Sequence, residues 1–314
     1  MIDILIDSDN RVIDHLRLSV TEKCNLHCCY CVPETATIQQ ELSVAEIERI
    51  AKLLFSIGVR SVRITGGEPL MRSDIVEIIA SIYQIGFDDV SLTTNATLLT
   101  NINAHELLMA GLSRINIGMS SLNATRYNSI TKYHLTAALT GIKIATEKFS
   151  DVRINVVMVD GFDDHEFEAF RNYSNLHDVT LRFIEYMPVF GAATATRFDL
   201  WKKLQEFGAK KIAPLFGQGP AEYYLVPGFN KPVGLIFPIH KKFCSSCRRI
   251  RLSSAGELRR CLFDNQLLDL HTLMNVQTSL EIVQSIKAFI KGKPSEHSIN
   301  KDTNLGYSMA KIGG

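Results

Sequence analysis

The chain has 314 residues, 46% hydrophobic and 21% charged, a globular composition with room for a large core. Its 34 Lys and Arg against 33 Asp and Glu leave a formal net charge of +1. That balance argues against a polyanion-binding surface, and so against a nucleic acid polymer as partner, but not against a local site for a small anion. The opening MIDILIDSDN lacks the basic start and apolar core of a secretory signal, and no run approaches the ~18 apolar residues that span a bilayer. A cytoplasmic protein off the membrane is expected, with its thiols reduced.

The seven cysteines fall into two groups, at 24, 28, 29 and 31 and at 244, 247 and 261, and such clustering points to metal. The first group follows directly on a β-branched, strand-like run, His15–Thr21. Cys24-x3-Cys28-x2-Cys31 offers three thiolates, one short of the four that fully ligate an iron–sulfur cubane, so one iron would stay open. Zinc is the alternative, with His27 or Cys29 as fourth ligand.

A helix is expected next, with Val44, Ile47, Ile50, Ala51, Leu54 and Phe55 on one face, Ser43 and Glu46 as a capping box and Gly58 as the stop. The strand Ser61–Thr65 then runs into Gly66-Gly67-Glu68-Pro69, where glycines let backbone approach a ligand closely. Strands Asp89–Asn95, Arg114–Ser120, Arg153–Val159 and Thr180–Met187 follow, separated by helical stretches at about 73–85, 103–110, 134–148 and 163–175. Six β/α repeats imply a parallel sheet with right-handed crossovers. The fold class is α/β, a partial (β/α)6 TIM-type barrel whose strand C-termini carry the chemistry.

After residue 213 the pattern changes. Pro214, Gly217, Gly219 and Pro220 mark a linker, short strands follow at about 221–226 and 233–237, and a helix at 277–291 precedes a polar tail. This divides the chain into a barrel, 1–213, and a smaller C-terminal module, 214–314. The module carries Cys244-x2-Cys247-x13-Cys261, again three thiolates, with zinc and His240 as the competing reading. In an extended segment Arg249 and Arg251 point to one face, where two guanidiniums make a phosphate site.

Tyr30 between the last two ligands of the first triad, with Gly66–Pro69 one strand later, resembles the radical S-adenosylmethionine superfamily. The resemblance narrows to the GTP 3′,8-cyclase family (MoaA) on further segments. These are Leu16–Thr21, Arg63–Arg72, Leu92–Asn95, Arg182–Met187, the second triad with its arginines, and the terminal Gly313-Gly314. It implies two [4Fe–4S] clusters, on Cys24, Cys28 and Cys31 and on Cys244, Cys247 and Cys261, the second gripping the purine. Tyr30, Gly67, Gly118 and Met187 would meet S-adenosylmethionine. Arg17, Arg63, Thr93, Arg153, Arg249, Ile250 and Arg251 would meet GTP. Arg17, Arg249 and Arg251 would serve turnover together with Gly313 and Gly314, which reach into the site. The implied partners are a low-potential electron donor, a second copy in a homodimer, and the cyclic pyranopterin monophosphate synthase that takes the product.

Several residues depart from the family pattern. Gly118-Met119-Ser120 stands for Ser-Leu-Asp, so a serine contact is missing at Gly118 or supplied by Ser120 or Ser121. Ser61 stands for a lysine near the triphosphate, Ala96 for a glycine, and Arg153 for a lysine. A paralogue acting on another nucleotide or on a peptide is the competing reading.

Overall fold

The computed structural model describes residues 4–31, 40–187, 198–215, 219–297 and 309–312. Gly217 of the expected linker and the terminal Gly313 and Gly314 lie outside the described residues. The six expected strands are present as β1 (His15–Ser19), β2 (Ser61–Thr65), β3 (Asp89–Thr94), β4 (Arg114–Gly118), β5 (Val152–Met158) and β6 (Thr180–Glu185). Between them run α1 (Val44–Ser56), α2 (Ile75–Ile85), α3 (Asn101–Met109), α4 (Ala124–Thr131), α5 (Leu135–Lys148) and α6 (Asp164–His177). The Ser43–Glu46 capping box of α1 is formed, and Ile47, Ile50, Ala51 and Leu54 are its buried face. Helix α4 was not foreseen: its sequence, ATRYNSIT, is polar and β-branched, and the Asn123 side chain caps it by accepting from Arg126 N–H.

The C-terminal residues form α7 (Leu200–Glu206), β7 (Lys210–Ile212), β8 (Glu222–Leu225), β9 (Val233–Ile236), β10 (Arg249–Leu252), β11 (Glu257–Arg259), β12 (Leu268–Asp269), α8 (Leu270–Val276) and α9 (Ser279–Lys291). One twelve-stranded sheet results, in the order β12-β11-β10-β1-β2-β3-β4-β5-β6-β9-β8-β7. Strand β10 pairs parallel to β1 and β9 parallel to β6, so the later chain extends the parallel core at both edges. The short antiparallel pairs β10–β11 and β8–β9 then finish each edge.

Alternation along the strands separates two environments. Leu16, Leu18, Val62, Ile64, Ile115 and Ile117 are buried on the helix-covered face, each worth roughly 1.5–3 kcal/mol of burial. The opposite face carries Arg17, Arg63, Thr93, Gly118, Asn155, Arg182 and Arg251, and these line a central cavity. No helix among the described residues is long and apolar enough to cross a membrane.

Candidate active site

The cavity opens at the strand C-termini and is bounded by both cysteine groups, with Cys31 on one side and Cys244, Cys247 and Cys261 on the other. The register puts Arg251, Arg17 and Arg63 directly beside one another on three adjacent strands. Arg63 and Arg251 are 6% and 5% exposed. Arg249 and Arg182 complete five guanidiniums around one space. Burial, compounded by Arg251, Arg63, Arg249 and Arg182, holds the Arg17 pKa well below the usual range. Arg63 is lowered likewise, by burial first and then by Arg182 and Arg114. Such a cluster suits a multiply charged anion.

Arg182 was not foreseen as a site residue. It bonds the Asn116 side chain and is 2% exposed, and the strand alternation that places Arg153 and Asn155 inward was the signal for it. Gly234 gives it room, because a Cβ there would stand 2.7 Å from the Arg182 side chain. Asn155, beside Gly118 in the ladder, lines the same cavity with its buried Oδ1 unpartnered.

Not every expected site residue reaches the cavity. Arg153 lies at the barrel floor in a bidentate pair with Asp151, at 2.6 and 2.8 Å. Ser61 lies there too, on the same strand face as Arg63 but one layer nearer the floor, its hydroxyl 2.7 Å from His15 Nδ1. The Ile250 side chain is fully buried in the apolar core. Gly118 lines the cavity with open space where a Cβ would stand, while Ser120 is bonded to the Tyr30 hydroxyl at 2.9 Å and Ser121 to Glu166 at 2.6 Å. Ala96 adopts φ 61°, the left-handed conformation that favours glycine.

The glycines after β2 pack closely against the loop that leads to the first triad. A Cβ on Gly67 would be driven into the Lys23 carbonyl, and one on Gly66 would stand 2.6 Å from the Thr21 carbonyl. The same contact is hydrogen-bonded: Gly67 N–H donates to Thr21 O at 2.7 Å and Glu68 N–H to Lys23 O at 2.8 Å. The Glu68 carboxylate is fully buried and accepts from Thr94 Oγ1 (2.6 Å), Asn95 N–H (2.7 Å) and Leu70 N–H (3.0 Å). It clamps the ends of β2 and β3 beneath the first triad.

The triads fit iron–sulfur clusters. The Cys24 sulfur accepts from Leu26 N–H at 3.4 Å and faces Asn95 Nδ2 at 4.0 Å, and the Ala310 amide donates toward Cys31. Burial pushes the Cys24 thiol to about 11 and Cys31 to about 12, and Cys28 rises as well, with the neighbouring thiols adding repulsion at the last two. Thiolates so disposed form readily once a cation binds them. At the second triad burial opposes ionisation of Cys247, but Arg249 and Lys293 outweigh it and bring the thiol to about 6. Among the described residues no three His, Cys, Asp or Glu converge on a single-ion site. A mononuclear zinc needs all its ligands at ~2.0–2.3 Å from one centre, whereas a cubane takes one thiolate per iron. His240 is engaged by Glu185, and Cys29 packs against Ile130, Val159 and Tyr186.

A parallel barrel with CX3CX2C in the loop after its first strand defines a radical S-adenosylmethionine enzyme, and the radical SAM superfamily matches residues 18–173. Residues 179–299 match the Molybdenum Cofactor Synthesis C family. The chain is 37% identical to a GTP 3′,8-cyclase of Desulforamulus reducens over 99% of its own length and 100% of that protein. It is 36% identical to a GTP 3′,8-cyclase of Peptoclostridium acidaminophilum, over 99% and 98%, and 35% to one of Listeria monocytogenes, over 94% and 92%. The chain belongs to the GTP 3′,8-cyclase family. Among solved structures, Streptococcus suis SuiB bound to S-adenosylmethionine shares the fold, with a TM-score of 0.67 at 15% identity over 96% of this chain and 77% of that one.

Proposed function

We propose that this enzyme converts GTP to (8S)-3′,8-cyclo-7,8-dihydroguanosine 5′-triphosphate, a step of molybdenum cofactor biosynthesis. The observation that carries it is the row Arg251–Arg17–Arg63 in a cavity bounded by two cysteine triads. Cys24, Cys28 and Cys31 would hold one [4Fe–4S] cluster and Cys244, Cys247 and Cys261 another; bound there, the first would supply the low-potential electron for reductive cleavage of S-adenosylmethionine.

The remaining work belongs to the protein. Arg17, Arg63, Arg182 and Arg251 hold the triphosphate by charge-assisted hydrogen bonds, with water excluded by burial. Arg249, stacked 4.9 Å over Phe243, extends the positive wall toward the second triad, where the guanine end is placed. Tyr30, oriented by Ser120, and Met187 line the side next to the first triad, where S-adenosylmethionine is placed. Holding nucleotide and radical source in one cavity sets the ribose against the abstracting carbon, which is a gain of orientation. On this reading the enzyme works in the cytoplasm, takes electrons from a low-potential donor and passes its product to cyclic pyranopterin monophosphate synthase.

The test is a product assay across the four ribonucleoside triphosphates with reductant and S-adenosylmethionine. GTP alone should stimulate 5′-deoxyadenosine and yield the cyclised nucleotide. Stimulation by another nucleotide, with GTP inert, would overturn the assignment.

A further inference from the structure

Behind the second triad stand two buried cations that nucleotide binding does not use. Arg11 is 7% exposed and pairs through Nε with Asp7 at 2.6 Å. Its Nη atoms donate to the carbonyls of Cys244 (2.8 Å), Pro294 (2.8 Å), Ser295 (3.0 Å) and Lys293 (3.3 Å). The first ligand of the triad is thereby fastened to the segment after α9. Lys293 is 5% exposed, and its Nζ donates to the Arg249 carbonyl at 2.8 Å and to the Arg260 carbonyl. Arg249 lies two residues after Cys247, and Arg260 immediately precedes Cys261. One ammonium therefore ties together the loops that carry the other two ligands.

Burial opposes the Lys293 ammonium first; of the charges around it, the thiols of Cys247 and Cys261 favour the protonated form and the guanidiniums of Arg249 and Arg11 oppose it. An ammonium buried beside other cations costs several kcal/mol unless a negative group compensates it. Three thiolates on a cubane supply that group, because they outnumber the charge of an oxidised [4Fe–4S] core and leave it net negative.

We propose that Lys293 is the charge-compensating, positioning residue of the second cluster, its ammonium held by the carbonyls of Arg249 and Arg260 against the thiolates of Cys247 and Cys261. This rests on the reading that Cys244, Cys247 and Cys261 hold a cluster. A nearby positive charge stabilises the reduced, more negative cluster and raises its potential. The same ammonium ties the loops that carry Cys247 and Cys261, so its loss loosens the ligand geometry on which iron occupancy depends.

The full chain is reconstituted anaerobically with Cys24, Cys28 and Cys31 replaced by Ala, so that iron and redox titration report the second cluster. Into this background go Lys293→Arg, Lys293→Gln and Lys293→Met. Arginine should keep the parent's iron content and midpoint potential. Glutamine, which still donates to carbonyls but carries no charge, and methionine should shift the potential to more negative values or lose iron. Glutamine matching the parent in both readings, or arginine failing as methionine does, would overturn the proposal. A parent that binds no iron would instead defeat the underlying assignment of the second cluster.

Discussion

The Met309 N–H donates to the Cys31 carbonyl at 3.1 Å, which fastens the C-terminal turn to the loop of the first triad. Ser19 Oγ holds the same turn through the Ala310 carbonyl at 3.0 Å, and Met309 lines the central cavity. Met309–Ile312 therefore lies at the cavity edge beside the first triad. Deleting Gly313 and Gly314 should leave both clusters in place by iron content and abolish cyclisation; a normal turnover rate would make the tail incidental.

Gly67 meets the Lys23 carbonyl so closely that any Cβ must displace the loop before Cys24. Gly67→Ala should cost about 1–3 kcal/mol locally. Reconstituted iron should fall toward half, with the first cluster lost and the second kept. Full iron in this variant would show that the loop yields without consequence.

Arg182 is a buried cation aimed at the same space as Arg17 and Arg63. Removing one partner of a buried charge pair costs about 2–5 kcal/mol. Arg182→Met should raise the GTP KM at least ~30-fold while S-adenosylmethionine binding, measured calorimetrically without nucleotide, is unchanged. Equal loss for both ligands would remove Arg182 from the phosphate site.

Gly118 has open space where a side chain would stand, and Ser120 and Ser121 are committed to Tyr30 and Glu166. Gly118→Ser should therefore fold normally and add one hydrogen bond, worth ~0.5–1.5 kcal/mol. The expected reading is a several-fold lower KM for S-adenosylmethionine. A higher KM would mean that the space is already filled by the ligand.

His15 sits fully buried at the barrel floor, and burial, with Arg63, Arg249 and Arg17 around it, holds its pKa well below the usual value. The folded chain resists a proton that the unfolded chain takes up near pH 6.5. Stability from this group is full above that pH and is lost as the pH falls below it, by ~1.4 kcal/mol per unit until the folded imidazole titrates. Denaturant titrations between pH 7 and 5 should show this slope in the parent and a shallower one in His15→Gln. Equal slopes would exclude His15 as the source.

The six parallel strands and the two cysteine triads were legible because hydrophobic alternation and ligand spacing are local signals. The inward row of Arg17, Arg63 and Arg251 was legible only in part: Arg249 and Arg251 share a strand face, but β10 lies beside β1, more than two hundred residues earlier. Arg153 has the right alternation and charge for the cavity, yet Asp151, two residues before it, captures the side chain at the floor. The pairing of Gly66 and Gly67 with the Cys24 loop is a backbone-to-backbone contact, which side-chain patterns do not encode. Lys293 looks like a helix-end lysine until α9 is placed behind the second triad.

The most direct measurement is the iron and sulfide content of the anaerobically reconstituted full chain. Two cubanes across the arginine row predict about eight irons per chain, about four for each triad. About four irons, or stoichiometric zinc in their place, would contradict a nucleotide held between two open clusters.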